Sequence, residues 1–304
     1  MSMTLLQLVQ AATSEMGVPV PQTVQGNTAQ DVVQLLGLIN KVGRELYTNY
    51  DWQALEVPYR FYTAYLQTTG DIVDGSAVIT NIPDTSTFST DYMLTGTGVP
   101  QDCNILTVDS TTQVTMNQPM EATTTGATLT FCKTAYSMPS DYRKPINRTQ
   151  WDKTRHWEML GPASPQMWEW LKSGYIATGP RIHFRILGNK FQIWPMISAN
   201  EYLGFEYTST SWVYSAAGAA QSSFVADDDT SIFADDLLIS GLKLKYFDAK
   251  GFDTTSYAQD YGMALSSVLA TEKGARTLFI SGRPSNILIN QTNLPDSGLG
   301  GYGI

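Results

Sequence analysis

The stretch "MPSDYRKPINRTQWDKTRHWEMLGPASPQMWEWLKSGYIATGPRIHFRILGNKFQIWP", residues 138–195, decides how the chain is read. It holds five of the seven tryptophans, Trp151, Trp157, Trp168, Trp170 and Trp194. Residues 141–161 read as a basic and aromatic loop. A short helix follows, with Ser164 as N-cap and Pro165 at the first helical position, where a missing N–H costs nothing. Two strands come next, residues 181–187 and 190–194, joined by Gly188-Asn189, the residue pair of a two-residue hairpin turn. Trp168 and Trp170 are two apart on a helix and cannot share a face, so one points to a core and one is free for a neighbour.

Upstream, residues 4–16 place Leu5, Leu8, Val9 and Ala12 at helical spacing, stopped by Gly17 and by Pro19 and Pro21. Asn27 or Thr28 is expected to cap a second helix with the apolar face Val32, Leu35, Leu36, Ile39, Val42 and Leu46. Residues 52–66 alternate and read as extended. From 68 to 134 the chain is dense in Thr, Gly and β-branched residues, with short alternating runs at 77–82, 92–95, 103–108, 112–116 and 127–132 separated by turn formers. That spacing reads as a small all-β module. Downstream, residues 202–208 read as a strand partnering the hairpin. Residues 233–247 and 254–280 read as helices, the first with Asp235 and Asp236 at its positive end. Gly282 and Pro284 stop the second. The last twenty residues carry the apolar patch Ile287, Leu288 and Ile289 and then four glycines.

The 304 residues are 42% hydrophobic, enough for a sizeable core or two modest ones. Charged residues are 15%, below the usual quarter or so. A net charge of −9 argues against a nucleic-acid-binding face. It suits solubility, or the wall of a conduit from which phosphate is repelled. Cys103 and Cys132 are too few for a disulfide scaffold and are expected reduced and half-buried. The N-terminus lacks the basic region of a secretory signal, and no apolar run approaches the ~18 residues of a bilayer span.

Searches for chemistry end in exclusions. "GLGGYG", 298–303, matches a dinucleotide loop by letter, but no strand precedes it and no helix follows. A calcium loop starting at Asp227 would need Gly and Glu where Ile232 and Leu238 stand. His156 and His183 are the only histidines, and no cysteine pair has metal spacing. No nucleophile elbow, phosphate loop or zinc-protease motif occurs. No cofactor, no metal and no catalytic residue is expected. The acidic run Asp227–Asp229 reads as a solvated loop or as a contact for a basic partner. The best site-like feature is Arg143, Lys144, Arg148, Lys153 and Arg155, interleaved with Tyr142, Trp151 and Trp157. Such a set can bind single-stranded nucleic acid, form a subunit interface, or plug its own core.

Pro139-x-Asp141-Tyr142-Arg143, then Trp151-Asp152, then Phe184-x-Ile186-x-Gly188-Asn189-x-Phe191-x-Ile193-x-Pro195 resemble the head-to-tail adaptor proteins of short-tailed bacteriophages. Residues 70–82, 92–100, 105–110, 114–117 and 127–131 resemble a β-sandwich module found inserted in phage virion proteins. The resemblance implies an α+β fold. Its parts would be a helical-bundle adaptor core with a small antiparallel hairpin sheet, 1–67 and 134–284, an inserted β-sandwich at 68–133, and a C-terminal extension at 285–304 that docks on a partner. It further implies a non-enzymatic virion protein, assembled in the host cytoplasm as a homo-oligomeric ring of about twelve copies. Its partners would be the portal protein, tail nozzle or tail-fibre proteins, and DNA passing through without sequence-specific binding; no membrane is involved. On this reading Arg143, Lys144, Arg148, Trp151, Trp157 and Trp168 form the interface, and Ile287, Leu288, Ile289, Leu294 and Tyr302 dock on the portal. The rival reading is a tail protein that binds host-surface glycan or degrades cell wall. The absence of a carboxylate pair beside aromatics in the 68–133 stretch counts against a hydrolase.

Overall fold

A computed structural model of the chain describes residues 2–174 and 181–272. Five helices lie among them: α1 (Leu5–Met16), α2 (Gln30–Asn49), α3 (Pro165–Lys172), α4 (Asp235–Lys250) and α5 (Thr255–Glu272). Thr4 and Gln7 form a reciprocal capping box on α1, and Gly17 ends it in the left-handed conformation. Helix α2 starts at Gln30 without a side-chain cap; Asn27 instead accepts from the Ala29 N–H, 2.9 Å. Helix α4 is the hub. Six consecutive residues, Leu237 to Leu242, are buried, because α1, α2 and α5 cover it on several sides. A side chain at Gly241 would meet Val42 at 2.7 Å and Tyr261 at 3.1 Å, so the glycine sets how closely α2 and α5 approach.

These helices do not close a core on one another alone. Their shared core takes Trp52, Trp212, Phe224 and Phe233 from outside the helices. Gly43 of α2 lies under the Trp212 indole, where a Cβ would sit 2.1 Å from the ring. Val213 and Ser231 pair in a three-stranded sheet that brings Trp212 and Phe233 to this spot. The expectation of a helical-bundle core with a minor hairpin sheet is therefore corrected. The chain is an α+β mix in which several small antiparallel sheets carry as much of the fold as the helices do.

A second core lies between two sheets. In the five-stranded sheet, Tyr202–Ser209 pairs through residues 202–208 with Glu56–Tyr62. Its other edge receives Trp151–Asp152, followed by Trp157–Glu158, and Tyr142–Pro145. The three-stranded sheet is His183–Leu187, Lys190–Trp194 and Ala135–Ser137. Gly188 and Asn189 both have positive φ, 58° and 59°, as a two-residue turn matched to strand twist requires. The Tyr202–Ser209 strand was expected to pair with this hairpin at its edge. It stacks across its face instead: Phe191 lies between Phe184 and Phe205, ring centroids 5.1 and 5.0 Å away. Face-to-face stacking buries the aromatic side of both sheets, which edge pairing would leave wet.

Residues 65–133 enclose a third core. Tyr65–Ile72, Thr124–Lys133 and Tyr92–Gly96 form one sheet; Val78–Ile79, Gln113–Met116 and Ile105–Ser110 form another. Between them lie Ile72, Ile79, Ile105, Val114, Leu129 and Phe131. The first and last strands pair with each other, Tyr65 opposite Cys132, and the Lys133 N–H donates to the Ala64 carbonyl, 2.8 Å. Glu56–Tyr62 belongs to the five-stranded sheet and Tyr65–Ile72 to this one, so the chain passes from one sheet to the other at residues 63 and 64. Cys103 and Cys132 are fully buried and unbridged, not half-buried; burial pushes their thiols up to about 12 and about 11. Met93 meets Trp168, Leu171 and Trp194 where this unit rests on α3 and the hairpin.

Candidate functional site

The residues expected to form an interface separate into two groups. Arg143 faces inward. Its guanidinium donates to the carbonyls of Thr48 and Tyr50 at the end of α2 and lies 3.9 Å from Asp51. Those are the carbonyls a helix leaves unpaired, at the negative end of its dipole. Lys144 pairs with Asp51 beside it. Asp141 completes the brace by accepting from the Tyr207 and Ser209 hydroxyls, 2.8 and 2.5 Å. Burial, the bond to Asp141 and the charge of Asp141 all push the Tyr207 phenol up. The Asp141-Tyr142-Arg143 run thus ties the five-stranded sheet to the end of α2. Trp168 is also inside, 3% exposed, with Arg185 5.2 Å from its ring centre.

The second group is outside. Arg148, at φ 65°, donates to Glu158, 3.2 Å, and its carbonyl accepts from the Trp151 indole, 3.3 Å. Trp157, on the short hairpin with Trp151, is 37% exposed. Of the tryptophan pair on α3, the free member is Trp170, 46% exposed, not Trp168. Met167, three residues before it on the same helix face, is 40% exposed. Sequence spacing shows that 168 and 170 point apart; only the tertiary contacts show which one is outside. Met167 also lines a shallow groove of about 420 Å³ with Leu160, Pro162, Ala163, Ser164 and His183. Burial lowers the pKa of the His183 imidazole there. Ile287, Leu288, Ile289, Leu294 and Tyr302 lie outside the described residues.

The acidic run serves the fold. Asp227 accepts from the Val24 and Gln25 N–H groups, Asp229 from Val225 and Ala226, and Asp235 from Met3. Asp227 and Asp229 use their carbonyls to receive Leu6 and Leu5 at the start of α1. Among the described residues no group of three or more His, Cys, Asp or Glu side chains is placed to hold a metal. No described helix is long and apolar enough to cross a membrane.

One arrangement had no signature in the sequence. The carboxyls of Asp152 and Glu201, 2% and 4% exposed, are both held by Arg155, whose N–H donates to Asp152 Oδ1, 3.0 Å, and whose Nε donates to Glu201 Oε1, 2.6 Å. Comparison with protein-family models and with curated proteins finds no match to this chain.

Proposed function

We propose that the chain is a structural subunit of a bacteriophage virion: an adaptor that forms a homo-oligomeric ring between the portal of the head and the tail, with DNA passing through its lumen. The observation that carries this reading is the set of outward aromatics, Trp157 on the 151–158 hairpin and Trp170 with Met167 on α3, together with the exposed, ion-paired Arg148. Tryptophan and arginine are the residues that anchor protein interfaces. The likeness of the 138–195 motifs to head-to-tail adaptors supports it, as does an acidic chain that repels phosphate. On this reading the interface passes through Trp157 and Trp170, while Arg143 and Trp168 shape it from within. The 285–304 segment docks on the portal.

Electron microscopy and light scattering of the purified chain, alone and mixed with portal, test the proposal. Closed rings are expected, weakened by Trp170→Ala and Trp157→Ala without loss of thermal stability. Truncation after Gly282 is expected to abolish portal binding. A chain that stays monomeric at tens of micromolar with and without portal would sink the reading.

A further inference from the structure

The 151–158 hairpin is short. Trp151 and Asp152 pair with Glu158 and Trp157 on one side and with Gly204 and Leu203 on the other. Two residues per strand hold little by themselves, so the contacts of the turn matter. Asp152 supplies them. Its Oδ1 accepts from the N–H groups of Thr154 and Arg155, 2.9 and 3.0 Å, closing the turn. Its Oδ2 is buried and has no donor. Glu201 is brought beside it, two residues before the Leu203 that Asp152 pairs with, and Arg155 binds both carboxyls, its N–H on Asp152 Oδ1 and its Nε on Glu201 Oε1.

Glu201 is fixed on every side. Its N–H donates to Thr63 Oγ1, 2.7 Å, and its carbonyl receives the Thr63 N–H, 2.9 Å. Its Oε1 accepts from Arg155 Nε, 2.6 Å. The next residue, Tyr202, donates its N–H to Thr154 Oγ1, 2.7 Å. Two ionised carboxylates are acceptors only, so as ions they cannot bond one another, and the orphaned oxygen would be left buried and unpaired. Arg155 neutralises one charge, and from the Glu201 side. Lys153 and His156 belong to the same turn, and the Tyr62 ring lies tilted against Tyr202 next to it, centroids 4.8 Å apart. Arg148 pairs with Glu158 on the neighbouring strand. Among the described residues none of these hydrogen-bonds to either carboxyl.

We infer that Asp152 and Glu201 share one proton, and that this proton latches the 151–158 hairpin to the sheet. An O–H···O⁻ bond between them satisfies the orphaned oxygen and leaves one negative charge for Arg155. Burial, in the first place, raises the Glu201 carboxyl above the usual carboxylate range; Arg155 pulls it down and Asp152 raises it further. A carboxyl whose folded pKa is raised stabilises the fold below its unfolded value, and that contribution is lost as pH rises through the folded value. Acid therefore closes the latch and base opens it. The element that responds carries Trp151 and Trp157. The inference stands whether or not the chain forms a ring.

Hydrogen exchange of the full chain reads the latch through the protection of residues 151–158, corrected at each pH for the intrinsic exchange rate. In the wild type, protection is expected to fall several-fold as pH rises through the raised folded value of Glu201. Glu201→Gln and Asp152→Asn each put a permanent N–H donor where the proton sits, so both are expected to give a flat profile. A flat wild-type profile, or the same fall in the variants, overturns the latch. If neither variant folds, carbon-13 titration of the wild-type carboxyls decides. One coupled pair leaving its protons in two separated steps is expected, and the absence of such a pair overturns the inference.

Discussion

The unit at residues 65–133 and the double sheet at residues 135–209 are both built from alternating antiparallel strands, yet they close differently. In the first, every strand finds its partner within the same stretch, Tyr65 opposite Cys132 and Val108 opposite Val114. In the second, Tyr202–Ser209 pairs with Glu56–Tyr62 across the whole inserted unit, and Arg143 reaches back to Thr48 on α2. Their carboxylates differ too. Asp71 and Asp109 of the first are solvated and bonded to N–H and O–H donors, whereas Asp152 and Glu201 of the second are buried. A core closed within one segment depends on that segment alone, while a core closed across segments depends on the whole chain.

Phe191→Ala is the strongest way to sharpen this contrast. The ring is sandwiched between Phe184 and Phe205, and its loss is expected to cost about 3–5 kcal/mol in urea unfolding. Hydrogen-exchange protection should drop both at 135–209 and at the 56–62 strand, and a drop confined to the hairpin would break the comparison. Leu129→Ala comes next, at about 3 kcal/mol for a fully buried leucine. Its loss of protection should stay within 65–133. If residues 183–194 lose protection equally, the two cores are one.

Much of the hairpin region was legible because its chemistry is local. Ser164 does accept from the Met167 N–H, Pro165 opens α3, and Gly188-Asn189 makes the turn. The length and periodicity of α1 and α2 were equally open to reading. What stayed hidden depends on residues far apart in the chain. Nothing near the hairpin says that it meets the Tyr202–Ser209 strand by its face. A basic loop looks the same in sequence whether its arginine points to solvent or caps a helix ninety-odd residues upstream. The Asp152–Glu201 contact has no local spacing at all. Of the candidate surface, the sequence shows that residues 168 and 170 point apart, but their exposure depends on distant packing: Trp168 is buried and Trp170 is outside.

Arg143→Ala probes the weld between helices and sheet. Losing charged hydrogen bonds to two helix-end carbonyls is expected to cost about 2 kcal/mol. Arg143→Lys should recover little of it, since an ammonium cannot fork to both carbonyls. A fully stable Arg143→Ala chain would show that the brace is decorative. The smallest expected effect is one of sign. Backbone and side-chain bonds from Gly126 and Asn81 hold the Asp71 carboxyl below its ordinary range, and Thr115 and Thr107 do so for Asp109. A depressed folded pKa contributes stability above the unfolded value, and it is lost as pH falls through the folded one. Glu201 runs the opposite way. Acidification should therefore loosen 65–133 while it tightens 151–158, followed by exchange in the same sample. Parallel loosening of both would contradict the assignment of the buried pair.

Helix α4 has a consequence for how the chain is made. Its partners α1 and α2 leave the ribosome well before α4 does. At ~5–20 residues per second the N-terminal helices wait on the order of ten seconds or more before the helix that covers them exists. The unit at 65–133 needs no such wait, because both its edges have emerged by then. The newborn protein thus passes through a stage with one finished β unit and two apolar helix faces open to water, the stage at which a chaperone would have something to hold.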